Sequence, residues 1–181
     1  ATIFDVSRAV VRRVLLRLSH DDIVDLYPNR GAIVASPSIP QAKEILLARR
    51  LIEGDIVRAA VAAALPDDIE ELRIFVSEEQ NSFENDKRGK GIRLSGDFHF
   101  KLALLSGNSI LIKFVKELIP QTSLIIAQYE KPGHSMCSYD EHFELIQAIA
   151  EGDADYAVKL MDEHLQHIEN KLDLTDKETR S

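Results

Sequence analysis

Three histidines carry the clearest chemical signal in this chain of 181 residues. His99, His142 and His164 each lie on or beside the apolar stripe of a different amphipathic segment, so all three can point into a helical bundle. Imidazole is the commonest protein ligand for borderline divalent metals, and three neutral imidazoles leave an open position for water or an anion. The alternative is three unrelated core histidines that each donate a hydrogen bond to a carbonyl group.

A second candidate is Arg49, which lies among Leu46, Leu47 and Ile52. In apolar surroundings an arginine either extends along the surface to place its charge in water or holds an anionic ligand. The first interpretation is the commoner one. Arg49 nevertheless stays a candidate for binding an anion.

Nucleophilic catalysis has little support in the sequence. Cys137 near His134 offers a thiol and a base, but chance adjacency in a loop of Gly, Ser and His explains the pair better. His20, His134 and His167 are predicted to lie in loops or to face solvent. The chain contains no Gly-rich phosphate loop, no Gly-x-Ser-x-Gly elbow and no Cys-x-x-Cys pair. The pattern therefore does not indicate an enzyme.

The elements that must position the histidines are predicted to be six amphipathic helices joined by mostly short connections. Capping boxes, terminal glycines and apolar stripes at spacings of three and four mark their ends and faces. Such a series is typical of an antiparallel bundle. The first predicted helix runs from Ser38 to Leu65 and stops before Pro66, and the second runs from about Asp68 to Asp86 before a polar stretch through Gly89 and Gly91. The third carries Phe98, Leu102 and Leu105 and ends at Gly107, and the fourth runs from Ile110 to Ala127 with a kink at Pro120. The fifth runs from the Ser138 and Glu141 capping box to Gly152, and the sixth from Asp153 to a polar tail at Asp173.

The first 36 residues follow a different pattern. Ser7 can cap a short amphipathic helix over 8–18, and two extended runs over 23–26 and 31–35 flank a turn-rich connection that predicts a hairpin. Ser36-Pro37-Ser38 then makes a natural linker. We therefore expect one small domain over 1–36 and a larger helical domain over 37–181.

Charge separates the same two parts. The net charge is −8, but residues 1–17 carry four arginines against one aspartate, a local +3 that leaves −11 for the remainder. A basic end on an acidic body suits an element that binds a polyanion, although one amphipathic helix with a solvated basic face explains it equally well. A single cysteine excludes an internal disulfide framework, and no apolar run approaches the roughly 18 residues of a membrane span. A cytoplasmic protein is expected.

Two groups of motifs resemble a known family of regulators. The segment Val6-Ser7-Arg8-Ala9-Val10-Val11-Arg12-Arg13-Val14-Leu15, followed by Tyr27-Pro28-Asn29-Arg30-Gly31-Ala32, is similar to the recognition helix and wing of GntR-type transcription regulators. The later motifs resemble the ligand-binding domain of the FadR subfamily, commonly called FCD. They are Ala48-Arg49-Arg50-Leu51-Ile52-Glu53, Phe98-His99 with Ser106-Gly107-Asn108, Asp140-Glu141-His142, Gly152-Asp153 and His164-Leu165. The resemblance covers essentially the whole chain.

The resemblance implies a mainly α fold: a partial winged helix-turn-helix over 1–36 before an antiparallel bundle of six or seven helices. It implies a homodimer that represses transcription until a small carboxylate-like effector binds. Operator DNA would be contacted through Ser7, Arg8, Arg12, Arg30 and Gly31. The family's two leading winged-domain helices would precede Ala1.

The same resemblance assigns the metal. His99, His142 and His164 take the family's three histidine positions for a divalent ion, zinc or nickel. The family's acidic ligand falls on Ser95, which with Arg49 would bind the effector, while Asp97 would point roughly 200° around the helix from His99. Three histidines with water or effector are therefore the expected ligand set. Metal-dependent hydrolysis or a metal-binding bundle is the alternative function, and a dioxygen- or haem-binding bundle is a third.

Overall fold

The computed structural model describes residues 5–131 and 139–175, which form seven helices and one two-stranded sheet. The predicted fold class, mainly α with a small hairpin before a helical bundle, is confirmed. The predicted Ser138 cap and the pair of His134 and Cys137 lie outside the described residues. The elements are α1 (Arg8–His20), β1 (Val24–Tyr27), β2 (Gly31–Val34), α2 (Ile39–Ala63), α3 (Pro66–Glu84), α4 (Arg88–Leu105), α5 (Ser109–Tyr129), α6 (Tyr139–Glu151) and α7 (Ala154–Asn170).

The helix and hairpin at the start of the chain form as expected. The Ser7 side chain accepts a hydrogen bond from the Val10 amide at 3.3 Å and so caps α1. Strands β1 and β2 pair antiparallel with Tyr27 opposite Gly31. Asn29 and Gly31 adopt positive φ, at 62° and 87°, which lets the connection turn within three residues. The hairpin therefore follows local turn chemistry.

Helix α2 is the central element of the bundle. It begins at a complete capping box of Ser38 and Gln41 and runs for 25 residues. It packs along α7 and also contacts α4, α5 and α6, while α3 lies against α4 and α6. The buried side chains of α2 through α7 form one continuous apolar core, with Phe98 and Leu102 of α4 fully buried in it.

The start of α4 corrects the sequence interpretation. The polar stretch through Gly89 and Gly91 was expected to separate two helices, but α4 already begins at Arg88 and includes both glycines. A Cβ atom at Gly91 would lie 2.7 Å from the Phe83 ring, closer than two carbons can pack. Gly91 therefore lets α3 approach α4 and does not break the helix.

Helix α5 continues through Pro120, and the kink expected there stays a prediction. Gly107 and Gly152 have φ values of 66° and 76° just beyond α4 and α6, the left-handed conformation with which helices commonly end. After α7 the chain returns to the end of α5, where the Asp173 amide donates to the Tyr129 carbonyl at 2.7 Å. This return holds the ends of α5 and α7 together.

Candidate metal centre

The three predicted histidines meet at one buried point between α4, α6 and α7. His99, His142 and His164 are each 2% exposed or less. The Nε2 atom of His164 lies 3.1 Å from Nε2 of His99 and 3.3 Å from Nε2 of His142. One ligand nitrogen from each ring falls within 4.8 Å of the others. The structure thus brings together three side chains that are far apart in sequence.

Each histidine also contacts a glutamate through its other ring nitrogen, Nδ1. The pairs are His99 with Glu53 at 2.5 Å, His142 with Glu79 at 2.8 Å and His164 with Glu141 at 2.7 Å. A carboxylate accepts hydrogen bonds, so in a neutral ring each of these contacts assigns the proton to Nδ1. The Nε2 atoms that face one another then carry lone pairs.

Protonation supports the same arrangement at neutral pH. Burial lowers the pKa of His99 to about 4, against the raising effect of Glu53. Burial likewise lowers the pKa of His164 to about 3. Burial raises the pKa of Glu53, but the charges of Arg49 and His99 together with the hydrogen bonds from both outweigh it, so the pKa lies well below its usual value. Both rings are therefore neutral, the form that binds metal.

The spacing of the nitrogens fits a divalent cation. Zinc–nitrogen bonds of about 2.0–2.1 Å place tetrahedral ligands roughly 3.3–3.4 Å apart and right-angled ligands about 3.0 Å apart. The observed separations of 3.1 Å and 3.3 Å lie in this range. A cation among the lone pairs would remove their mutual repulsion. Carboxylates behind metal-bound histidines are also the usual way in which ring orientation and basicity are fixed.

Arg49 does not reach solvent, so the interpretation of a surface-extended arginine is wrong. The residue is 2% exposed, and its Nε atom donates to Glu53 at 2.5 Å. Its Nη2 atom is buried without a hydrogen-bond partner among the described residues. An unpaired buried guanidinium nitrogen costs free energy and would bind an anionic oxygen strongly. Glu53 therefore links Arg49 to His99 of the candidate metal centre.

A small cavity of about 20 Å³ lies beside these groups and is lined by Arg49, Ser95 and His99. Ser95 is one helical turn before His99 and faces this cavity, whereas Asp97 pairs with Arg93 at 2.9 Å on a half-exposed face. The expectation that Asp97 points away from the histidines is confirmed. A volume of this size holds about one water molecule. Among the described residues that line the cavity, none is acidic.

The sequence interpretation missed the roles of the three glutamates. Glu141 was identified as a helix cap, yet it contacts both His164 and His167, at 2.7 Å and 2.8 Å. His167 lies on α7 and is exposed, so its solvent-facing position is confirmed. Glu53 was visible as a neighbour of Arg49 one turn later in α2. Glu79, from α3, had no local signal, because nothing in its own segment indicates which helix it faces.

The residues predicted to contact DNA lie together at the other end of the chain. Arg8 and Arg12 of α1 line one open groove with Asn29 and Gly31 of the hairpin. Arg30 is exposed at the turn. Ser7 is exposed as well, and its hydroxyl is engaged as the α1 cap. Arg8 and Arg12 thus share one groove with the hairpin, and contact of these residues with DNA stays a prediction.

The fold joins a helical bundle to a helix and hairpin, and comparisons with known proteins find the same arrangement. The Uxu operon regulator of Haemophilus influenzae is 27% identical over 200 residues, which cover 97% of this chain and 72% of the regulator. The HTH-type transcriptional repressor RspR of Escherichia coli is 21% identical over 168 residues, 91% of this chain and 73% of the repressor. A GntR regulator structure from Rhodococcus sp. RHA1 superposes with a TM-score of 0.78 at 21% identity, covering 93% and 81% of the two chains.

The FCD domain model matches residues 44–167, more than half of the chain. The chain therefore belongs to the FCD domain family and is a transcriptional regulator of the GntR type. Its relatives are regulators and not enzymes, so the alternative of a metal-dependent hydrolase is set aside. None of the helices in 5–131 and 139–175 combines the length and apolar character that crossing a membrane requires.

Proposed function

We propose that this regulator is a cytoplasmic repressor of the FadR subfamily whose helical domain senses a small carboxylate at a divalent metal. The observation that carries the proposal is the convergence of three Nε2 atoms, each backed by a glutamate on Nδ1. Three neutral nitrogen ligands suit zinc or nickel and leave coordination positions open. When bound, the metal would act as a Lewis acid that attracts a carboxylate oxygen.

Arg49 supplies the second half of the effector site. Arg49, whose Nη2 atom is unpaired, and His99 line the same cavity, and none of its described lining residues is acidic. An anion is therefore the ligand that this cavity attracts. Ser95, in the position where the family has an acid, adds a hydroxyl and no negative charge. We assign Arg49 and Ser95 to the effector and not to the metal.

The other half of the function is the reading of operator DNA by 1–36, with the boundary to the helical domain at 37. Arg8, Arg12 and Arg30 would contact phosphates and base edges, while Ser7 and Gly31 bring the backbone close to the duplex. The acidic helical body adds no attraction for DNA, so affinity depends on these few arginines and falls steeply with salt. A homodimer would place two such readers on a two-fold symmetric operator.

A thermal-shift screen tests the sensor. Small organic acids are added to the metal-free protein and to the protein with zinc, because a ligand that binds only the native state raises the melting temperature. We expect acids that stabilise the zinc-loaded protein and not the metal-free protein. Acids that act equally without zinc would contradict a metal-anchored effector.

Two arginines on α2 provide a matched pair for the same screen. Arg49→Lys keeps the positive charge near Glu53 but loses the planar fork that recognises a carboxylate. Arg50→Lys is the control, since Arg50 is bonded to Asp162 at 2.8 Å on a partly exposed face. The stabilisation by acids should fall in Arg49→Lys and persist in Arg50→Lys. Equal responses would exclude Arg49 from the site.

A further inference from the structure

Helix α5 connects the effector cavity to the linker between the two domains. Its residues Ile119, Thr122, Ser123 and Ile126 contribute one wall of the cavity. Ile126 lies one helical turn before the end of α5 at Tyr129. A displacement of this wall therefore reaches the end of the helix within a single turn.

The end of α5 is bonded to the linker. The Tyr129 hydroxyl donates to the Pro37 carbonyl at 2.8 Å, and the Ser36 hydroxyl donates to Gln128 Oε1 at 3.0 Å. The linker runs from the end of β2 at Val34 to the start of α2. These two hydrogen bonds thus tie the linker, which follows the hairpin directly, to the end of α5.

The middle of α5 is weakened where it faces the cavity. Pro120 has no amide proton, so one hydrogen bond of the helix is missing there. Thr122 and Ser123 turn their hydroxyls back to the carbonyls of Leu118 and Ile119, a pattern that destabilises and bends helices. This wall can be displaced at lower cost than a regular helix.

The cavity has too little room for an organic acid without such a displacement. Its volume of about 20 Å³ suits a single water molecule. On the α4 side, a Cβ atom at Gly96 would lie 2.6 Å from Ile119 Cγ2, so α4 and α5 are already in close contact. An effector beside Arg49 must therefore push a wall outwards, and α5 is the weakened one.

We propose that α5 is the relay of this regulator: entry of the effector displaces α5 at Ile119 and loosens the Tyr129 and Gln128 contacts with the linker. This inference rests on the proposed sensor function and adds which helix moves when the effector binds. The released linker changes the position of the hairpin and α1, and through them the affinity for DNA.

A glycine substitution can push α5 without any effector. Gly96→Ala places a methyl group against Ile119, whose β-branched side chain has little rotational freedom to yield. Gly89→Ala is the matched control on the same helix, because a Cβ atom there meets nothing within 4 Å. Hydrogen–deuterium exchange of the Ala35, Ser36 and Ser38 amides reports on the linker. We expect exchange about two- to tenfold faster in Gly96→Ala, the factor that losing one hydrogen bond gives, and no change in Gly89→Ala.

Two further variants separate a relay from general loosening. Gly96→Ala combined with Ile119→Ala removes the steric conflict and should return linker exchange to the wild-type rate. Tyr129→Phe should speed linker exchange by itself, and Gly96→Ala added to it should have no further effect. Tyr156→Phe, an exposed tyrosine on α7, is the control for loss of a hydroxyl. Circular dichroism checks folding, and Ser95→Val, which also enlarges a cavity side chain, replaces Gly96→Ala if that variant is unfolded.

The outcomes distinguish this inference from the sensor function. Linker exchange that stays at the wild-type rate in Gly96→Ala and Ser95→Val, or that rises equally in Gly89→Ala, would overturn the relay. Because these measurements use no metal and no acid, they are unaffected if zinc fails to bind. Failure of zinc to bind wild-type protein would instead overturn the proposed sensor and leave the mechanical result standing.

Discussion

Helix α1, the proposed DNA-reading helix, and the candidate metal centre differ most in burial. Among the described residues, α1 has no buried side chain and its arginines are exposed, whereas the centre has three histidines, two glutamates and an arginine that are buried, with the partly exposed Glu141 at its edge. In the proposed function, the exposed arginines act only when DNA is bound. Buried ionisable groups must be paired within the fold itself. Substitutions in the two regions should therefore fail in different ways.

The largest expected effect is the loss of metal from His142→Ala. This change removes one of three nitrogen ligands, whereas Arg8→Ala with Arg12→Ala changes only the exposed helix. Zinc at a thousandfold excess over its Kd should stabilise the wild type and the double arginine variant by about 4 kcal/mol and His142→Ala by nothing measurable. Chemical denaturation with and without zinc measures this. If zinc still stabilised His142→Ala, His142 would not be a metal ligand, and substitutions in the two regions would not differ in their effect on metal binding.

The reverse comparison uses DNA. Arg8→Ala with Arg12→Ala should reduce operator affinity by about tenfold or more for each lost contact. The slope of affinity against salt should become shallower by about one for each lost phosphate contact. Fluorescence anisotropy over a salt series measures both quantities. Operator binding that survives the double substitution would contradict the assigned reading surface.

A smaller effect is expected from the glutamates behind the histidines. Glu79→Gln keeps the shape of the side chain but no longer presents a carboxylate to His142, and such changes cost about 10–100-fold in metal affinity. Glu78→Gln is the control, because Glu78 is the exposed neighbour on the same helix. Competition with a coloured chelator gives both dissociation constants. Equal constants would reduce Glu79 to a packing role.

The smallest change concerns Ser95, where a carboxylate would be added. Ser95→Asp places an acid one turn before His99 on the cavity side. We expect tighter metal binding and weaker binding of organic acids, because the new carboxylate occupies an open position and repels anions. Calorimetric titration with zinc and then with an acid from the screen measures each step. Unchanged binding in both steps would place Ser95 outside the site.

The sequence predicted most of the fold and the three histidines because these depend on local periodicity and caps. Ser7, Ser38 and Gly107 define helix ends through contacts within a few residues. The extent of α4 could not be predicted, since Gly91 is explained only by the distant Phe83 ring. The pairing of Glu79 with His142 spans 63 positions and needs the packing of α3 on α6.

Arg49 shows why the electrostatics of the site were harder to predict than its ligands. Apolar neighbours along one helix are compatible with both a surface-extended and a buried arginine. The buried position of Arg49 depends on its ion pair with Glu53 one turn away, and Glu53 in turn contacts His99. The local sequence therefore shows that Arg49 and Glu53 are one turn apart but does not show which other helices surround them.

The most direct test of the account is the metal content of the protein purified without added metal. Elemental analysis should find close to one zinc or nickel ion per chain in the wild type and none in His142→Ala, with circular dichroism showing that both are folded. A wild-type protein that neither retains metal nor binds zinc in a calorimetric titration at neutral pH would contradict the central claim.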